Sequence, residues 1–267
     1  MSIGLQSAHN EELKRLGRIH TYEDFLSTYE TARKVGFANI NVDVMSALPG
    51  QTLESYLDTL DKIISLDVPP EHISAYSLIV EEGTAFWQFR EEGRLPLPDE
   101  DTERMMYRMT EEKLAQAGWN RYEISNYAGN GYVCRHNEGY WRRQNYLGLG
   151  IGAASMVENV RFENETDLEA YLHHPTECRI GERILSKTEQ MEEFMFLGLR
   201  LTAGVSKQKF FDTFGISMED VYGKVLYKNQ KDGLLTQKKS DGIEWVALTG
   251  RGLDLSNYVM AQFLLDE

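Results

Sequence analysis

The chain has 267 residues, 42% of them hydrophobic, enough to fill one or two packed domains and to exclude a disordered tail or linker. Its 28 basic against 42 acidic side chains leave a net charge of −14, which argues against broad nucleic-acid binding through a cationic surface. No apolar run approaches the ~18 residues of a membrane span, Met1 opens no recognisable leader, and a cytoplasmic location is expected.

Cys134 and Cys178 are the only cysteines, and there is no C-x-x-C. A structural zinc site, a disulfide framework and a self-contained cysteine-ligated iron–sulfur cluster are excluded on ligand count.

A first strand is predicted over residues 2–6, a short helix stopped by Gly17, then a helix capped by Thr21 with Asp24 three residues on. Tyr22, Phe25, Leu26, Tyr29 and Ala32 fall at helical spacing on it, and Gly36 ends it. A second strand over 39–45 leads to a helix capped by Thr52, with Leu53, Tyr56, Leu57, Leu60, Ile63 and Ile64 on one face. A third strand covers 72–80. Strand, helix and strand repeating at this interval predict parallel strands joined by crossover helices.

Asp99 caps a long helix to Ala117, ended by Gly118. Short strands are predicted over 121–124, 146–149 and 156–162, the last turning at Glu158-Asn159. Helices over 187–199, 206–213 and 218–231 follow. A hairpin of 234–238 and 243–248, turning at Ser240-Asp241-Gly242, completes a winged-helix-like pattern whose near-neutral charge disfavours DNA. All six prolines lie at or before Pro175, and the excess negative charge lies in the same part, so the expected domains are 1–180 and 181–267.

Several residues are candidates for chemistry. Leu48-Pro49-Gly50-Gln51-Thr52 suits a type II turn opening a helix, either a plain connection or a ligand-binding rim. Asp43 sits between Val42 and Val44, where a carboxylate is costly unless paired or bound to a ligand hydroxyl. Gln6 and Arg18 are each either a surface or packing residue or, near the rim that also receives Asp43, part of a polar shell suited to a nucleoside-like group. Gly148 to Ala153 fits a dinucleotide fingerprint only superficially, because no β-α-β unit follows, and close backbone packing is the expected reason for its glycines. Cys134-Arg135-His136-Asn137-Glu138-Gly139-Tyr140-Trp141 gathers a thiol, an imidazole and two aromatics, either a haem-type site or an aromatic-anchored loop. His173-His174-Pro175 is expected to be a solvated helix end.

Taken together, Ser2 to Ser7, Leu16-Gly17-Arg18, the LPGQT segment, His72 to Leu78, Arg121 to Asn126, Cys134 to Asn137, Tyr140-Trp141 and Tyr146 to Gly150 resemble, in order and spacing, a known family. It is the oxygen-independent coproporphyrinogen III oxidase-like branch of the radical SAM proteins, with the HemW-like haem chaperones. The resemblance implies an α/β fold: the C-terminal half of a partial (β/α)6 radical SAM barrel, as three parallel βα units, plus a small α+β region and the winged-helix-like module. It further implies that Gln6, Arg18 and Asp43 contact S-adenosylmethionine. His136, Asn137, Tyr140 and Trp141 match a haem-binding H-N-x-x-Y-W motif, with His136 toward the haem iron.

The cysteine loop that holds the family's [4Fe–4S] cluster has no counterpart here, so the chain is expected to be N-terminally truncated and inactive as a radical enzyme by itself. Ala154 also stands where many members have His. The family reading is a haem chaperone that delivers haem to a receiving protein. The alternatives are part of an oxidase that decarboxylates coproporphyrinogen III in porphyrin biosynthesis, or a non-catalytic protein-interaction module. Starting on a strand, the chain is expected to self-associate through that open edge.

Overall fold

The three predicted parallel strands form three of the five strands of one sheet. The computed structural model describes residues 1–177 and 179–265; Cys178 lies outside the described residues. Its contacts divide the chain into two units, Met1–Cys134 and Arg135–Glu267.

The first unit runs β1 (Ser2–Gln6), α1 (Asn10–Arg15), α2 (Tyr22–Lys34), β2 (Asn41–Ser46), α3 (Leu53–Ile64), β3 (His72–Ser77), α4 (Ala85–Glu91), α5 (Glu100–Gln116), β4 (Asn120–Glu123) and β5 (Asn126–Ala128). Strand order is β1-β2-β3-β5-β4, with β1, β2 and β3 parallel and β5 and β4 added antiparallel. β1 is thus an edge strand, as expected. Capping boxes at Thr21 and Thr52 start α2 and α3, and the Asp99 side chain caps α5.

Pleating sends alternate side chains to opposite faces. Ile3, Leu5, Val42, Val44, Ile73 and Ala75 go into a core with Phe25, Tyr29, Tyr56, Leu60 and Ile63 of the crossover helices, and Met106, Leu114, Trp119 and Tyr127. Trp119 also donates its indole N–H to the Pro70 carbonyl at 2.8 Å.

The second unit runs α6 (Arg135–Trp141), β6 (Ala154–Val157), β7 (Val160–Asn164), α7 (Leu168–His173), β8 (Arg179–Ile184), α8 (Lys187–Gly198), β9 (Val205–Ser206), α9 (Lys207–Phe214), α10 (Met218–Lys231), β10 (Leu235–Ser240), β11 (Ile243–Leu248), α11 (Gly250–Asp254) and α12 (Ser256–Ala261). It holds two antiparallel sheets, β6-β7-β8 and β10-β11-β9. Both predicted hairpin turns form, with Glu158, Asn159, Asp241 and Gly242 all at positive φ, as two-residue type I′ turns require.

One expectation is revised. Residues 146–149 do not form a strand; Tyr146 makes an isolated bridge to Met156, and Gly150 and Gly152 turn the chain away at φ +103° and +62°. Within the second unit, Glu193 on α8 accepts hydrogen bonds at 2.9 Å from both Arg143 Nε and Arg161 Nε, tying the segment after α6 and strand β7 to that helix.

Removing one partner of a mostly buried ion pair strands the other. Glu193→Ala is therefore expected to cost about 3 kcal/mol, read as a lower urea midpoint by circular dichroism.

Candidate functional site

The face of the parallel sheet opposite the crossover helices is polar. Register aligns Ser2, Asn41 and His72 across the strands, then Gly4, Asp43 and Ser74, so one row of side chains meets the next. The Asp43 carboxylate accepts from Asn41 Nδ2 at 2.8 Å and from the Ser2 hydroxyl at 3.1 Å. Asn41 Oδ1 in turn faces His72 Nδ1 at 2.6 Å, and His72 Nε2 faces the Tyr122 hydroxyl at 2.9 Å.

A carbonyl oxygen can only accept, so His72 carries its proton on Nδ1 and Nε2 accepts from Tyr122. The Tyr122 oxygen then accepts the Cys134 backbone N–H at 3.3 Å. Burial holds the His72 pKa down at about 4, against the smaller opposing pull of Asp43, which keeps the ring neutral.

Gln6 ends β1 in the left-handed region at φ +63° and is buried. Its side chain folds back over Gly4, where an added Cβ would meet Gln6 Nε2 at 2.5 Å. Arg18 is exposed on the loop after α1, beyond the Gly17 stop at φ +75°. Burial raises the Tyr76 phenol pKa; Asp43 adds to this and Arg18 opposes it, so both charges act on the same ring.

The predicted type II turn forms, Gly50 at φ +71° and Gln51 N–H donating to the Leu48 carbonyl at 3.0 Å. Arg15 lies where a Gly50 side chain would be, and the buried Glu12 carboxylate accepts from Ser7, Gln51 and Ser55. The rim is therefore locked to α1.

In the second unit, α6 places His136 and Tyr140 one turn apart, their rings edge to face with centroids 4.6 Å apart. Tyr140 makes a second such contact with Tyr146, also at 4.6 Å. His136, Tyr140, Trp141 and Tyr146 line a cavity of about 680 Å³ together with Arg143, Met156, Arg161 and Ala154, a size suited to a cofactor. His136 is exposed, and neither of its ring nitrogens bonds to another described residue. Asn137, the next residue on α6, about 100° further round the helix, is not in the lining. The Arg200 guanidinium sits 4.2 Å over the Trp141 ring, a cation–π contact that fixes the indole.

The glycine-rich stretch does not build a nucleotide loop. Gly148 lies against the backbone of Ala153 and Ala154, and Asn164 Nδ2 donates to the Gly148 and Gly150 carbonyls, so close packing accounts for it. His173 and His174 are exposed at the end of α7.

Sequence reasoning missed Asn41, His72 and Tyr122 on the sheet face, and Arg143, Tyr146 and Arg161 in the cavity. The signal for the first group was present: N-V-D-V and H-I-S-A-Y alternate polar and apolar residues with period two. The cavity arginines carried no such local mark.

Residues 1–63 match the radical SAM superfamily model and residues 185–255 the HemN C-terminal domain model. The haem chaperone HemW of Lactococcus lactis is 38% identical over 268 residues, covering 100% of this chain and 69% of that protein. The chain belongs to the HemW family. The Bacillus subtilis HemW is also 38% identical, over 99% of this chain and 69% of its own length.

The solved coproporphyrinogen III oxidase HemN of Escherichia coli superposes with a TM-score of 0.77 at 20% identity, over 98% of this chain and 63% of that one. This likeness shows a shared α/β fold with mixed sheets. The [4Fe–4S] cluster of the superfamily does not fit the residues present. The chain has two cysteines, and among the described residues no group of three or more His, Cys, Asp or Glu is placed to hold a metal ion. Nor is any described helix long and apolar enough to cross a membrane.

His72 sets a pH dependence. Its unfolded-state pKa near 6.5 lies above the folded value of about 4, so the unfolded chain takes up the proton first and stability is lost as pH falls through that window. The loss attributable to His72 is expected to reach about 3 kcal/mol. Urea titrations at pH 7 and 4.5 should show a smaller drop in His72→Gln; an equal drop in both chains would assign it elsewhere.

Proposed function

We propose that this chain forms the haem-binding portion of a HemW-type chaperone, holding haem in the aromatic cavity of the second unit for transfer to a receiving protein. The observation that carries the reading is an imidazole with both nitrogens unengaged by the described residues, beside two tyrosines and a tryptophan in a cofactor-sized space. His136 offers a nitrogen lone pair to iron, the ring-edge contact with Tyr140 sets its orientation, and Tyr146 and Trp141 give apolar walls to a planar macrocycle. Haem, when bound, supplies an iron centre open to a nitrogen ligand. Asn137 belongs to the sequence motif but not to this wall.

Adding haem to the full chain is expected to give a Soret band, and His136→Ala to shift it and weaken binding by about 10–100-fold. An unchanged affinity in that variant would remove His136 from the site. The oxidase alternative finds less support, since the relatives at 38% identity are chaperones and the HemN likeness at 20% concerns fold.

The remaining architecture is part of the same proposal. The three parallel strands are taken as half of a partial (β/α)6 barrel, whose polar face with Gln6, Arg18 and Asp43 receives S-adenosylmethionine. Residues 181–267 are taken as a winged-helix-like module, supported by the domain match over 185–255. β1 leaves an edge that natural sheets cover. Self-association is expected in sedimentation velocity, and a single monomeric species at all concentrations would count against it.

A further inference from the structure

Two guanidinium groups in the aromatic cavity are satisfied by one carboxylate. Arg143 and Arg161 both line it, and both give their Nε protons to Glu193. Arg143 Nη2 donates to Asn159 at 3.0 Å, and Arg161 Nη1 donates to the Tyr146 hydroxyl at 3.3 Å. Arg143 Nη1 and Arg161 Nη2 have no acceptor among the described residues. The side chains of Arg143 and Glu193 are 7% and 11% exposed, that of Arg161 32%.

The cluster therefore carries one positive charge more than its own carboxylate cancels, in a partly desolvated wall, with guanidinium edges still able to donate. Such a surplus favours an anionic partner, and carboxylates accept from guanidinium with strong, oriented hydrogen bonds. The rest of the lining is aromatic and apolar, with a single imidazole. The ligand that meets all of these features is flat and apolar, bears a nitrogen-seeking metal, and carries free carboxylates at one edge.

We propose that Arg161, backed by Arg143 and held in place by Glu193, anchors a carboxylate side chain of a bound metallotetrapyrrole, so that the cavity selects tetrapyrroles with free acid groups. This rests on the haem reading above and adds the group that orients the ring. Tyr146 takes part by steadying Arg161, and Glu193 keeps the two guanidiniums from drifting into solvent.

The test compares ferric haem with its dimethyl ester on the full chain, following the Soret band. The ester is expected to bind about ten- to a hundredfold more weakly than haem, since it forfeits the charge-assisted hydrogen bonds. Arg161→Gln is expected to weaken haem while leaving the ester unchanged, closing the gap between them; raised salt should narrow it in the parent chain. Equal affinity for haem and ester in the parent chain overturns the anchor alone, without recourse to any variant. A gap that persists undiminished in Arg161→Gln and in Arg143→Gln also overturns it. Absence of a Soret change with either ligand overturns the haem reading and the anchor with it.

Discussion

The pleat of β1, β2 and β3 is the constraint on which the first unit depends. Because successive side chains leave a strand on opposite faces, one set of residues must satisfy two solvents at once. Ile3, Leu5, Val42, Val44 and Ile73 close the core, while Asn41, Asp43, His72 and Ser74 lie in register on the other side. A slip of one residue would exchange the two sets. The cross-strand hydrogen bonds from Ser2 to Asp43 and from His72 to Asn41 penalise such a slip a second time, since they require those side chains on one face.

The two units treat polar groups differently. On the sheet face of the first, neutral groups are chained so that Asp43 is held by an amide and a hydroxyl, with no cation in direct contact among the described residues. In the second, charge is concentrated on Arg143, Arg161 and Glu193 beside aromatic rings. A carboxylate held by neutral donors suits recognition of hydroxyl groups; a surplus of guanidinium suits recognition of acids.

What could be read from the sequence was local. The capping box at Thr21, the caps at Thr52 and Asp99 and the turns at Glu158-Asn159 and Asp241-Gly242 depend on neighbours within a few residues, and each appears where expected. His136, Tyr140 and Trp141 were also legible, because a single helical turn brings them together. Features that need distant partners were not. His72 meets Tyr122 across 50 residues, Arg143 meets Glu193 across 50, and β5 becomes a strand only by pairing with β3 and β4. The prolines and the charge gradient mark a boundary near 180, but neither reports which side chains pair, as Arg143 and Arg161 do with Glu193.

The side chain of Gln6 rests in the space left by the missing side chain of Gly4. The floor of the polar face is thus partly built from a side-chain amide, carried on backbone at φ +63°, rather than from the sheet itself. A methyl group at position 4 would evict that amide while leaving the pairing of Gly4 with Asp43 along the main chain available. A side chain at position 4 would therefore reshape this surface through Gln6, two positions downstream, rather than through the strand that carries it.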